Sequence, residues 1–573
     1  MKKIYLLLCT ISILFSGCSE KKNNRERYLR FGSAGVIKSL DPALGADLVS
    51  RNMCGVIYDT LLQYDYPDIP YRLEPSMLAE MPEISADGRT YTFKLRKDLY
   101  FHEAEIFKDK QDRQVTADDV IFSFKRIIDS RRNSPVYWIF RNKLKGIDAF
   151  RKATEKDCGD EYPELEGLRK IDDFTFEITL NNSDYRFLYF LALPNCGIVS
   201  RKAAALSPRH FDVAPIGSGA FKLEKWQKGY KIQFVRYDDY REEFFPKAEN
   251  AADRQRKLPL ADGMTFYIFK RNFASWLLFL QKELDMAVLD KDNLDILDGD
   301  NGSLPDDLKA KNIKLYRTPS FELRYVGFNF RDPVLAENHK LRMALSCAYN
   351  LPRRLNHYKG QLLPAPGPIA PGVAGSNPDW RNPCSFDIAR AEKLLAEAGY
   401  PGGIDPKTGE QLTLTFDLNG TTSTHRQLGE LMASDMAKIG VRIIPVLNSS
   451  PRFFAKLASG QIQLFYLSWA GDYPDAENFL QLFYGPNANS CNRTCFSNQK
   501  FDEMFRKIIP MPDSAERTAL YRQMSDFITA ETPWIFDGIP VNYQLTHSYV
   551  ENFVPYNFNF NYHKYLNKNG KLH

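Results

Sequence analysis

Apolar residues alternate with polar ones, or recur at helical spacing, along most of the chain, and the two patterns predict its elements. Tyr91, Phe93 and Leu95 alternate with Thr92, Lys94 and Arg96 behind the turn pair Asp87-Gly88, which predicts a strand with one buried face. Thr116 and Asp119 have the spacing of a capping box and open a predicted helix on which Val120, Phe124, Ile127 and Ile128 share a face. Phe174, Phe176, Ile178 and Leu180 alternate again, so residues 63–189 read as an α+β unit, with residues 102–114 as a charged surface loop. Beyond it, helical stripes at Leu341/Leu345, Ile388/Ala391/Leu395 and Leu428/Met432/Met436 alternate with strands expected near Leu412, Val441 and Leu464, and Trp534 returns to strand composition. Strands separated by helices imply a partly parallel sheet.

The most informative stretch runs from Leu464 to Leu480. Residues 464–467 form an uninterrupted apolar run, as in a strand buried on both faces, and the chain then passes the turn residues Gly471 and Pro474. Asp472 is therefore expected at a strand's carboxyl end, where ligands of open α/β sheets collect. A carboxylate beside Trp469 could receive a cationic group there; equally, Asp472 could cap the following turn.

Lys2 and Lys3, an apolar run from Ile4 to Phe15 and then Ser16-Gly17-Cys18 have the layout of a secretory signal over residues 1–17. No later stretch has the ~18 consecutive apolar residues of a membrane-spanning helix. A chain of 573 residues exceeds the size at which single cores stop growing, so several domains are expected. Without Lys2 and Lys3 the chain has 74 basic and 71 acidic side chains, a formal +3, which gives no field pointing to nucleic acid. Seven cysteines remain once Cys9 and Cys18 are set aside, and Cys491 and Cys495 are the pair placed to staple a loop in an exported protein.

Motifs for catalysis are missing. There is no Gly-x-Ser-x-Gly elbow, and His102-Glu103 is only half of a zincin motif. The glycines at 217 and 219 lead into a strand rather than a helix, unlike a phosphate loop. These absences leave no specific reason to claim catalysis, and no cofactor or metal is expected.

Leu14 to Cys18 resembles the bacterial lipobox, which makes Cys18 the lipidated first residue of the mature chain and residues 18–27 a tether. Leu40-Asp41-Pro42, Tyr58 to Leu62, Glu74 to Glu80, Asp87 to Arg96, Val115 to Ser123, Gly217 to Phe221, Tyr325 to Phe330, Leu341 to Tyr349, Ala391 to Tyr400 and Trp469 to Phe479 resemble, in order, the family 5 extracellular solute-binding proteins. These are the peptide-binding components of ABC importers. The resemblance implies an α/β, periplasmic-binding-protein-like fold: two lobes joined by a two-strand hinge, and three domains, one of them an extra α+β domain. Domain I would be residues 28–62, 190–287 and 535–573, domain II 63–189 and domain III 288–534. It implies a monomer anchored in a membrane by its lipid and facing the periplasm, handing a peptide to permease subunits with cytoplasmic ATPases. Oligosaccharides, haem and nickel chelates are ligands elsewhere in the family, and the alternative from another class is a secreted hydrolase or an adhesin on the same scaffold.

Site residues follow from the same resemblance. An Asp shortly after a Trp receives the peptide ammonium in the family, and Asp472 after Trp469 matches it. Ser33, Ala34, Gly35 and Val36 on one side, and Ser468 to Ala470 on the other, match the segments that pair with peptide backbone by strand addition. Trp469 and Tyr466 would wall the pocket. Some members carry an Arg where this chain has Tyr466, and a His near the peptide's far end where it has His425. Asp475 and Glu477, if turned to the cleft, would favour a cationic ligand.

Overall fold

The computed structural model describes residues 27–156, 161–206, 210–269, 273–289, 293–297, 303–558 and 560–569. The signal segment, Cys18, the tether to residue 26 and Cys158 lie outside them.

A four-stranded sheet has the spatial order Leu29–Ala34, Gly263–Phe269, Lys231–Arg236, Phe221–Gln227. Its first pair is parallel, with Leu29 opposite Met264 and Ala34 opposite Phe269; the others are antiparallel. Leu29 and Phe31 turn inward, Phe31 stacking on Phe266 at 5.0 Å. Because Leu29–Ala34 is the edge, its outward row has no strand ladder, and at Arg30 the N–H and C=O are taken by Asp285, at 2.7 and 2.8 Å. The glycines at 217 and 219 serve packing: a Cβ at Gly217 would lie 2.0 Å from the Ile57 carbonyl oxygen.

The second sheet follows the order Met286–Leu289, Trp534–His547, Glu322–Phe328, Leu464–Ala470, Thr413–Asn419, Arg442–Asn448. Thr413–Asn419 runs parallel to both Arg442–Asn448 and Leu464–Ala470, as the αβ pattern implied. Helices Ser423–Ala437 and Ser450–Ser459 make the crossovers, the latter stopped by Gly460 in the left-handed region at φ 77°. Trp534–His547 ties the sheet together. Its first residues pair with Glu322–Phe328, and Val541 to His547 pair with Ile313–Pro319 and, near the end, with Met286–Leu289. The carboxyl ends of the three parallel strands share one rim with the amino end of Glu322–Phe328.

A third sheet, Glu83–Ile84, Thr90–Lys94, Thr175–Thr179, Leu168–Lys170, forms the predicted α+β unit, with Phe93 stacked on Phe176 at 5.0 Å. Its helix Ala117–Ile128 starts with both bonds of the capping box in place. From that helix the buried Arg126 reaches back to both oxygens of Asp41, at 3.1 and 2.6 Å, and fastens the unit to the loop after the edge strand.

Two expectations are corrected here. The 102–114 loop has buried ends: His102 is bonded to the Gly219 carbonyl at 2.9 Å, with burial lowering its pKa to about 4, and Arg113 is held by Asp239 at 2.7 Å. The run from Leu464 is fully buried only at Leu464 and Phe465, and pairing with its parallel neighbour stops at Tyr466, opposite Leu418.

Candidate functional site

Leu464–Ala470 pairs along its whole length with Glu322–Phe328, from Leu464 opposite Phe328 to Ala470 opposite Glu322. On its other side the pairing stops at Tyr466, opposite Leu418, so Leu467 to Ala470 present an open edge. Ser468 and Ala470 are exposed, while Trp469 turns to the opposite face. There its Nε1–H donates to Asn478 Oδ1 at 3.0 Å, and the Asp472 N–H donates to the same oxygen at 3.1 Å. Asn478 thus fixes the strand's end and the turn together. Gly471 permits that turn, since a Cβ would sit 2.1 Å from the Phe321 ring.

Asp472 keeps a third of its side chain, 33%, exposed, and its one ion-pair partner among the described residues is Arg51, Nη1 to Oδ1 3.6 Å. Burial raises the carboxyl pKa above the ordinary aspartate value and Arg51 opposes the rise. Capping of this turn falls to Asp475 instead, whose Oδ1 accepts from the Glu477 N–H at 2.8 Å. Arg51 comes from helix Leu48–Ile57, capped by Asp47, with its guanidinium over the Phe560 ring at 5.2 Å. Two residues earlier on that helix, Val49 lies 3.1 Å from where a Gly35 Cβ would be. One helix therefore links the edge strand to the Asp472 turn.

Asp475 and Glu477, which would have favoured a cationic ligand had they faced the cleft, are turned to protein partners. Asp475 accepts from Arg517 at 2.8 Å and from the Tyr521 hydroxyl at 2.6 Å, while the fully buried Glu477 is bound by Arg186 and the Tyr473 hydroxyl. Tyr466 is half-buried, and its hydroxyl is committed, donating to Asp537 Oδ2 at 2.8 Å. Asp537 also accepts from Arg354 at 2.7 and 3.1 Å and from Tyr349 at 2.7 Å. Burial alone would raise its pKa; Arg354 and these bonds outweigh it and hold the carboxyl below the ordinary value.

Ser33 and Ala34 end the edge strand, and Val36 is 68% exposed. Gly35, at φ +116°, gives its N–H to the Phe269 carbonyl at 3.2 Å, so that donor is already used. A cavity of about 430 Å³ opens beside the strand, lined by Ser33, Asn52, Val288, Gln544 and Phe560 among others. His425 stands near the carboxyl end of Thr413–Asn419, Nδ1 2.7 Å from Thr422 Oγ1, with burial lowering its pKa. Cys491 and Cys495 are free thiols, turned to Gln481 and Asn489, so the expected staple is not formed. Cys347 and Cys384, also free thiols, are buried together in one core. Among the described residues no helix is long and apolar enough to cross a membrane, and no group of three or more His, Cys, Asp or Glu is placed to hold a metal ion.

Two open strand edges and a half-open carboxylate are the means of holding an extended solute, and the class they define is a solute-binding protein. The chain belongs to the bacterial extracellular solute-binding proteins, family 5: the model described as "family 5 Middle" matches residues 73–491. It is 28% identical over 526 residues to heme-binding protein A of Haemophilus influenzae, covering 90% of this chain and 88% of that one. It is 26% identical over 470 residues to the dipeptide-binding protein of Escherichia coli, covering 80% and 79%. The ABC transporter-associated periplasmic binding protein DppA of Helicobacter pylori, solved with the peptide STSA, superposes with a TM-score of 0.68 at 23% identity, covering 96% of this chain and 100% of that one. The fold is thus a mixed α/β, multidomain periplasmic binding protein.

Proposed function

We propose that this protein captures short peptides, by their backbone and free amino end, for an ABC importer, and carries out no chemistry. The observation behind this reading is the open edge of Ser468 to Ala470 running into the half-open carboxylate of Asp472. An extended peptide added to that edge gains main-chain hydrogen bonds without its side chains being read. Its ammonium would meet Asp472, a charge-assisted bond of about 1.5–3 kcal/mol net. The edge strand through Ser33 and Ala34 would take the peptide's other side, with Gly35 excluded as a donor. In this reading residues 1–17 direct export and Cys18 carries the lipid, so that the monomer faces the periplasm. The three domains have the boundaries given above, hinged near residues 288 and 534, and the permease subunits with their ATPases are the partners. A dipeptide-binding relative supports the ligand class.

The second reading is haem, which the name of the Haemophilus influenzae relative favours. Native mass spectrometry of the chain lacking residues 1–18, followed by identification of copurifying molecules, separates the two. Short peptides are the expected result. A tetrapyrrole with a Soret band, and no peptide, would overturn the peptide reading.

A further inference from the structure

We infer that Arg324 receives the ligand's carboxylate, so that Asp472 and Arg324 hold the two ends of a peptide two or three residues long. The inference rests on the peptide reading above and supplies what that reading lacks. Tyr466 cannot meet a carboxylate: it carries no charge, and its one proton is donated to Asp537.

Arg324 lies directly opposite Ser468 on the neighbouring strand, and Val326, two residues on, lies opposite Tyr466. Side chains two apart on a strand share a face, so Arg324 stands beside Tyr466 on the rim where the parallel strands end. Its Nε–H donates to Glu322 Oε1 at 3.1 Å, which orients the guanidinium. Among the described residues neither Nη group has a protein acceptor, and the side chain is 28% exposed. Two other arginines near the site are already committed. Arg354 spends its fork on Asp537 in full burial, and Arg51 is paired with Asp472. Arg324 thus keeps both terminal donors open, among the described residues, beside Tyr466 and Ser468, in the geometry that suits a bidentate carboxylate. Burial disfavours its charge, while the Glu322 carboxylate beside it favours that charge, and on balance its pKa is raised.

The spacing sets a length. From Ser468, opposite Arg324, to Asp472 is four residues, at most about 13 Å at the ~3.3 Å rise of a strand, and both side chains shorten the gap. An extended dipeptide or tripeptide spans roughly 7–10 Å. With its amino end at Asp472 and its carboxylate towards Tyr466, the peptide runs antiparallel to Leu464–Ala470.

The experiment is calorimetric titration of matched di-, tri- and pentapeptides, each as free acid and as C-terminal amide, into the wild type, Arg324→Gln and Arg324→Lys. The wild type should prefer free acids at least tenfold and bind the pentapeptides at least tenfold more weakly. Arg324→Gln should abolish the acid preference while leaving amide affinity within twofold, and Arg324→Lys should restore part of it. A wild type that binds acids and amides equally would overturn the inference while leaving the peptide reading intact, as would Arg324→Gln losing both equally. A wild type that binds neither form would overturn the peptide reading, and this inference with it.

Discussion

Asp472 and Asp475 lie three residues apart in one turn, and the structure gives them opposite tasks. Asp475 has 3% of its side chain exposed and is closed off by Arg517 at 2.8 Å, the Tyr521 hydroxyl and a backbone N–H. Asp472 has 33% exposed and a single loose cation at 3.6 Å. A carboxylate whose acceptor sites are filled holds the fold, whereas one left half-open can still take a ligand. Charge in the sequence is therefore a poor guide to charge offered to a solute: Glu477 beside them is likewise fully buried and neutralised, by Arg186.

The contrast breaks most visibly at Asp475. Removing one partner of a buried pair strands the other charge, so Asp475→Asn should cost about 3–5 kcal/mol, seen as a lower urea midpoint. Asp472→Asn should change stability by less than about 1 kcal/mol, as surface pairs do. If the two substitutions destabilise equally, the division of labour is wrong.

Acid sharpens the comparison. The Asp472 pKa is raised in the folded protein, so the ionised group costs stability at neutral pH, and protonation favours the fold while removing the ammonium acceptor. Affinity for free-amine peptides should fall as pH drops through a value above that of an ordinary aspartate. Asp537 behaves in the opposite sense. Its depressed pKa contributes stability that is present above the unfolded value and lost only as pH falls through the lower folded one. Titration of binding and of unfolding against pH should thus show binding lost first; loss of both together would contradict these assignments. A smaller loss than that of Asp475→Asn belongs to Tyr466→Phe. It removes one of four bonds to Asp537 and should cost about 1 kcal/mol in chemical denaturation without altering the acid-over-amide preference.

What the sequence made legible was local. The apolar run at Leu464, the Gly471 and Pro474 punctuation and the Thr116/Asp119 capping box each depend on neighbours in the chain, and each element stands where expected. What stayed hidden was long-range. Arg51 sits on an ordinary amphipathic helix at the far end of the chain, and nothing local marks it as the partner of Asp472. Asp475 and Glu477 looked available because Arg517 and Arg186 are remote in sequence. Arg324 passes as one more strand charge until the register sets it opposite Ser468. The cysteines teach the same lesson: Cys491 and Cys495 are close in sequence with sulfurs turned to different partners, while Cys347 and Cys384 are distant in sequence and share one core.

The central claim is that Asp472 is the ligand's amino anchor. The most direct measurement compares the affinity of one peptide with a free amine, and of the same peptide N-acetylated, for the wild type and Asp472→Asn. Truncating one partner of a buried charged hydrogen bond costs about 2–5 kcal/mol, so the free-amine peptide should lose thirtyfold or more in Asp472→Asn while the acetylated peptide changes little. Equal losses for both peptides, or no loss for either, would contradict the account.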